Sequence, residues 1–212
     1  MSRSLNEIGL LCKRAARGGG LDWGLAEDAA RGARWSASFG LPGPAMLATR
    51  LETLDGRPHA ALSPDVTTNV WHAPDGGPLC PLAAGAALSD RAMRLISDGP
   101  ITLRDPACPL LVLAFANDAA ERLGATVLVA WGGLRLTSGA GRLHIDGARE
   151  RLEDAGTPRL TCSTVAPLPE PAASPGFRGE IDDGVWDRLT ALAARTLAPA
   201  TEESRRRGAG GG

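Results

Sequence analysis

The chain has 212 residues, 43% of them hydrophobic, enough to bury a sizeable core and to exclude a wholly disordered protein. Its 23 basic and 24 acidic residues give a net charge of −1, without the broad basic field that nucleic-acid binding needs to displace counterions. The apolar runs are too short to span a membrane.

Four cysteines, Cys12, Cys80, Cys108 and Cys162, stand far apart with no C-x-x-C pair, giving neither zinc-ligand spacing nor a disulfide framework. Free thiols in a reducing cytoplasm are expected. The opening segment carries Glu7 and ends in charge, unlike a secretory signal. Lys13 is the only lysine, Tyr is absent, and Ala and Gly abound, the bias of a GC-rich bacterial genome.

Ser4-Leu5-Asn6-Glu7 reads as a capping box, and Leu5, Ile8, Leu11, Cys12 and Ala15 then share one helical face. Gly18 suits a left-handed stop after Arg17. A second helix is predicted from Trp23 to about Phe39, capped by Asp22, with a stripe of Ala26, Ala29, Ala30, Ala33 and Ala37. A third covers Ala45–Leu54 after the break at Pro42-Gly43-Pro44. Residues 56–81 read as irregular, with a short strand around Thr67–Trp71, and Ala83–Ile96 as loop then helix capped by Ser89-Asp90.

The middle of the chain reads as a sheet. Leu110–Ala116 and Thr126–Trp131 are continuous apolar runs suited to buried strands. Only Asn117–Gly124 separates them, about two helical turns and too little for a parallel crossover, so the pair is expected to be antiparallel. Gly132-Gly133 marks a hairpin into Leu134-Arg135-Leu136, and Ser138–Gly141 a turn into Leu143-His144-Ile145. Thr161–Val165 adds a strand, Pro167–Pro175 a surface loop, and a closing helix runs from Asp182 or Asp183 to before Pro199. Thr201–Arg207, with acids first and bases last, reads as a short polar helix before a flexible glycine tail.

The expected fold is therefore α+β: N-terminal helices on a mostly antiparallel meander, with a C-terminal helix covering one sheet face. We divide the chain into a single domain, residues 1–197, and a tail, 198–212. Within the domain lie a helical segment at 4–54, a sheet region at about 100–165 and the closing helix at 182–197.

Three blocks carry a resemblance. Leu5-Asn6-Glu7-Ile8, Lys13-Arg14-Ala15-Ala16-Arg17-Gly18 and Trp23-Gly24-Leu25-Ala26-Glu27 resemble the opening of an uncharacterised proteobacterial family, a domain of unknown function. Leu79-Cys80-Pro81-Leu82 with Ser89-Asp90-Arg91-Ala92 extends the likeness, and Glu202-Glu203-Ser204-Arg205 with Gly208-Ala209-Gly210 resembles the family's C-terminal end. The resemblance implies no activity. The apolar spacing of the first two helices is also similar to that of non-Rossmann malate and lactate dehydrogenases, without a shared motif.

The richest constellation lies where the first helix meets the second. Asn6, Lys13 and Arg17 fall within ~40° on one edge of the first helix. Gly18-Gly19-Gly20 then feeds a helix whose first turns hold Trp23 and Glu27. A glycine turn at a helix N-terminus presents free N–H groups to anions, so these residues are candidates for holding a carboxylate or phosphate. The bland reading is a capped helix, with Lys13 and Arg17 paired to Glu27 or Asp28 and Trp23 in the core. An amine-catalysis role for Lys13 needs a burial that its edge position does not provide.

Cys80 follows a loop containing His72 and Asp75, which makes a nucleophilic pair with His72 conceivable, set against a buried thiol beside Pro81. A metal site from His59, His72 and Cys80 is the weakest option, and none is predicted. Arg205, in the triple arginine Arg205–Arg207, is a further candidate for gripping an anion or a partner. Esterase, lactamase, zincin, Walker A and EF-hand signatures are absent, so no catalytic residue or cofactor is named. Two functions remain: a non-catalytic binding or accessory module for a metabolic enzyme or small anion, and an enzyme of unrecognised type acting on a small carboxylate or phosphate. A protein partner or second copy is allowed; nucleic acid and membrane are not expected.

Overall fold

A computed structural model describes residues 1–54 and 59–196, the backbone alone at residues 59 and 60. The tail, including Arg205 and the expected short helix, lies outside the described residues.

The chain starts with β1 (Ser2–Ser4) and enters α1 (Leu5–Gly18). The capping box forms: the Glu7 amide donates to Ser4 Oγ at 3.2 Å and the Ser4 amide to Glu7 Oε2 at 2.9 Å. The Ser4 hydroxyl also donates to Glu7 Oε2, at 2.7 Å, and this bond first, then that from the Ser4 amide, holds the Glu7 carboxyl below the usual carboxylate range. Next come α2 (Trp23–Ser38), capped by Asp22, which accepts from the Leu25 amide, and α3 (Gly43–Leu54). The alanine stripe of α2 is buried, so neighbouring helices approach closely on both sides. Two corrections concern glycine. The helix runs through Gly18, where a Cβ would overlap the Leu192 carbonyl, and the left-handed residue is Gly20, with φ 90°.

After β2 (Val70–Trp71), the expected loop and late helix are replaced by α4 (Pro81–Asp90) and a short α5 (Arg94–Ser97). Pro81 starts α4 because a first-turn residue needs no amide donor, and Ser89-Asp90 end it rather than cap it. Gly85 is tolerated inside the helix because the Phe115 ring fills the space a side chain would need.

β3 (Ile101–Arg104) is followed by the largest correction. Leu110–Ala116 is no strand: a 3-10 turn, Pro109–Val112, runs into α6 (Leu113–Leu123), which ends on Gly124 in a left-handed conformation. An apolar run buried on every side has no polar face to reveal its period, so it reads alike as strand or helix.

The sheet is completed by β4 (Thr126–Trp131), β5 (Leu134–Gly139), β6 (Arg142–Gly147) and β7 (Arg159–Val165). Six strands lie in the order β2-β3-β7-β4-β5-β6, antiparallel except for β2 beside β3. β4, β5 and β6 form the expected meander, and β7 returns between β3 and β4. β8 (Arg178–Glu180) pairs with β1, and α7 (Asp183–Ala194) follows, capped by Asp182.

The layers run from helices to sheet. α6 lies on β4 and β5, α2 packs on α6, α1 packs on α2, and α7 rests on α1 and α3. The helix over the sheet is thus α6, whereas α7 packs on the helices α1 and α3. One continuous buried cluster runs from Ile8 through Phe115 and Val129 to Leu189. Among the described residues, no helix is long and apolar enough to cross a membrane.

Candidate functional site: an elbow of paired cations and a cleft over Arg50

The elbow between α1 and α2 brings four of the expected residues together. Trp23 is 64% exposed, with the Lys13 ammonium 5.5 Å and the Arg17 guanidinium 4.7 Å from its ring centroid. Both cations are already engaged. Lys13 Nζ donates to Glu27 Oε1 at 2.5 Å, and Arg17 donates to the Leu21 carbonyl inside the glycine turn. The elbow is a cation–π stack closed by a salt bridge.

Asn6 lies two turns earlier on α1, where its Oδ1 accepts from Arg34 at 3.4 Å. It borders a cleft of about 580 Å³ between α2 and α6, flanked by Trp35 and the fully exposed Phe177. The buried Asn117 Oδ1 on this wall has no donor, but the nearby Arg31 is held by both Asp28 and Asp118.

Cys80 is in neither place. It is buried at the start of α4, and its neighbour Leu79 bonds both ways with the segment Asp105–Cys108, the Leu79 amide to the Asp105 carbonyl and the Ala107 amide to the Leu79 carbonyl. That segment pairs with Ala155–Pro158, the Cys108 amide donating to the Ala155 carbonyl and the Thr157 amide to the Pro106 carbonyl. The two line a third cleft, of about 460 Å³, together with Thr49, Arg50 and Thr53 of α3.

Arg50 is the feature that sets this cleft apart. At 4% exposure it is the one charged residue in the buried class among the described residues. Its Nη1 reaches Thr53 Oγ1 at 3.5 Å, while Nε and Nη2 have no acceptor. An unmet buried hydrogen-bonding group costs roughly 1–3 kcal/mol, and a charged one more. The opposite wall is strained: Asp105 (φ 49°) and Cys108 (φ 42°) are two of the three non-glycine residues with left-handed backbone among those described. Such conformations persist only where surrounding structure holds them, and they gather at binding sites. Burial pushes the Cys108 thiol up; Arg50 pulls it down by less, and Cys80 adds a smaller upward push.

Residues 3–80 match the sequence model of a family described as a protein of unknown function (DUF3726). The match carries the elbow, Arg50 and Cys80, and ends at the residue before α4. It agrees with the resemblance read from the opening blocks. No curated protein matches the chain.

Sequence reasoning missed Arg50, although a signal was present. Met46, Leu47, Leu51 and Leu54 set the buried face of α3, and an arginine four residues after Met46 and four before Leu54 falls inside that stripe. A charge on the wrong side of an amphipathic helix was the clue. Asp105 and Cys108 gave no such clue, because their wall exists only once the distant segment Ala155–Pro158 pairs with them.

Proposed function

We propose that this protein is a bacterial, cytoplasmic, non-catalytic binding module for a small anion, held in the cleft over Arg50. The observation that carries the reading is the Arg50 guanidinium, buried with two N–H donors unmet beside a cavity of ligand size. An anion entering the cleft would supply those donors with charge-assisted hydrogen bonds, the strong kind, in a site where little water competes.

Binding is favoured over catalysis by the chemistry of the walls. A cysteine nucleophile acts as a thiolate, and burial drives Cys108 the other way. The described lining holds no histidine to act as its base. The elbow residues Lys13, Arg17, Trp23 and Glu27, with their charges met internally, are assigned to shaping the surface rather than to gripping the ligand. Large exposed side chains such as Trp23 and Phe177 support an accessory role beside another protein. Four free, buried thiols suit a reducing compartment.

The test is a thermal melt of the full chain against small carboxylates and phosphates at constant ionic strength, since a ligand specific to the native state raises the melting temperature. At least one anion is expected to raise it saturably in the native sequence and not in Arg50→Met. A flat response to every anion overturns the reading.

A further inference from the structure

Resting on that reading, we infer that the cleft over Arg50 selects a small monocarboxylate with a short apolar body, in preference to phosphate or a dicarboxylate. The argument begins with which donors are unmet. Nε and Nη2 form one edge of the guanidinium, two parallel N–H groups in one plane, while Nη1 on the far corner is turned to Thr53. That edge fits the two coplanar oxygens of a carboxylate in a bidentate pair. Nε and Nη2 are screened from water in this conformation, so the pairing requires the guanidinium to turn into the cleft.

Charge then separates the anion classes. The described lining holds one cation, Arg50, and one carboxylate, Asp105 on the exposed rim. A monoanion balances Arg50 and leaves Asp105 in water. A dianion leaves one charge without a cation and brings it toward Asp105 in a partly desolvated space, where like charges cost most. The walls add the body of the ligand. Pro78, Ala107, Ala155 and Pro158 present carbon surface around the arginine, with hydroxyls confined to the threonines. A branched or linear chain of a few carbons gains by burial against them, whereas phosphate has nothing to place there.

The experiment is isothermal titration of the full-length protein with isobutyrate, phosphate and succinate at matched ionic strength. Isobutyrate is expected to bind at least tenfold more tightly than the other two. Arg50→Met should abolish its binding, and Arg50→Lys, which keeps the charge but loses the fork, should weaken it at least tenfold. Asp105→Asn should narrow the gap between succinate and isobutyrate at least threefold; Asn accepts the left-handed backbone there as readily as Asp, so this variant keeps its fold. Phosphate or succinate binding as tightly as isobutyrate, or an Asp105→Asn variant with unchanged preference, overturns the selectivity while leaving anion binding at Arg50 standing. If none of the three anions binds in an Arg50-dependent way, the underlying reading falls too.

Discussion

The elbow and the cleft treat positive charge in opposite ways. At the elbow, Lys13 and Arg17 lie at the surface, stacked on Trp23 and answered by Glu27 and a backbone carbonyl. In the cleft a single arginine is buried, and two of its donors have no answer. A cluster of cations visible along a sequence is as a rule solvated or neutralised by its neighbours, and costs nothing. A lone cation inside an apolar stripe is a cost that only some compensating interaction offsets. The difference teaches where to look for a ligand: at the unmet charge, not at the most crowded one.

The contrast is open to attack, and the strongest blow falls on the elbow's packing. Gly18→Ala drives a methyl group into the Leu192 carbonyl of α7. We expect a loss of about 3 kcal/mol in urea unfolding, because the opposing backbone cannot yield as a flexible side chain would. A loss well under 1 kcal/mol would mean that α7 slides freely and that the elbow is not braced by it.

Arg50→Met tests the other side with the opposite sign. Removing an unanswered buried charge while keeping the volume should stabilise the ligand-free protein by about 1–3 kcal/mol, with each kcal/mol raising Tm by about 2–4 °C. A lower Tm would show that the guanidinium supports the fold and would place Arg50 with the elbow cations. A smaller effect is expected at the elbow's own pair. A double-mutant cycle on Lys13→Ala and Glu27→Ala should give a coupling of roughly 0.5 kcal/mol that shrinks with added salt, as exposed pairs do. A coupling that is large and indifferent to salt would mean that the pair is effectively buried.

The smallest effect is a matter of pH. Arg188 holds Glu52 with Nε at 2.9 Å and Nη2 at 2.7 Å, joining α7 to α3. This hydrogen bonding keeps the Glu52 carboxyl below the usual carboxylate range. The contribution is therefore complete above the pKa of the unfolded chain and disappears as pH falls through the lower folded value. The urea midpoint should decline across that acid window, and Glu52→Gln should flatten the decline; an unchanged slope would remove the pair from the account. Thiol labelling adds a control on burial. Cys12 and Cys162, pushed up to about 12 by burial, should stay unlabelled at neutral pH until the chain unfolds.

Local signals determined much of this protein without help. Ser4 and Glu7 form the capping box they spell, Asp22 and Asp182 cap α2 and α7, and Gly132-Gly133 turns β4 into β5, because each rests on contacts a few residues apart. The meeting of Lys13, Arg17, Trp23 and Glu27 was equally legible, since one turn joins their two helices. Tertiary structure alone decided the rest. Leu110–Ala116 became a turn and a helix because packing against α2, α4 and the sheet, rather than any local period, sets a fully apolar segment. The cleft belongs to the same class: Arg50, Asp105 and Ala155–Pro158 come from three distant stretches. Whether a buried charge is met depends on every atom around it, and no stretch of sequence holds that sum by itself.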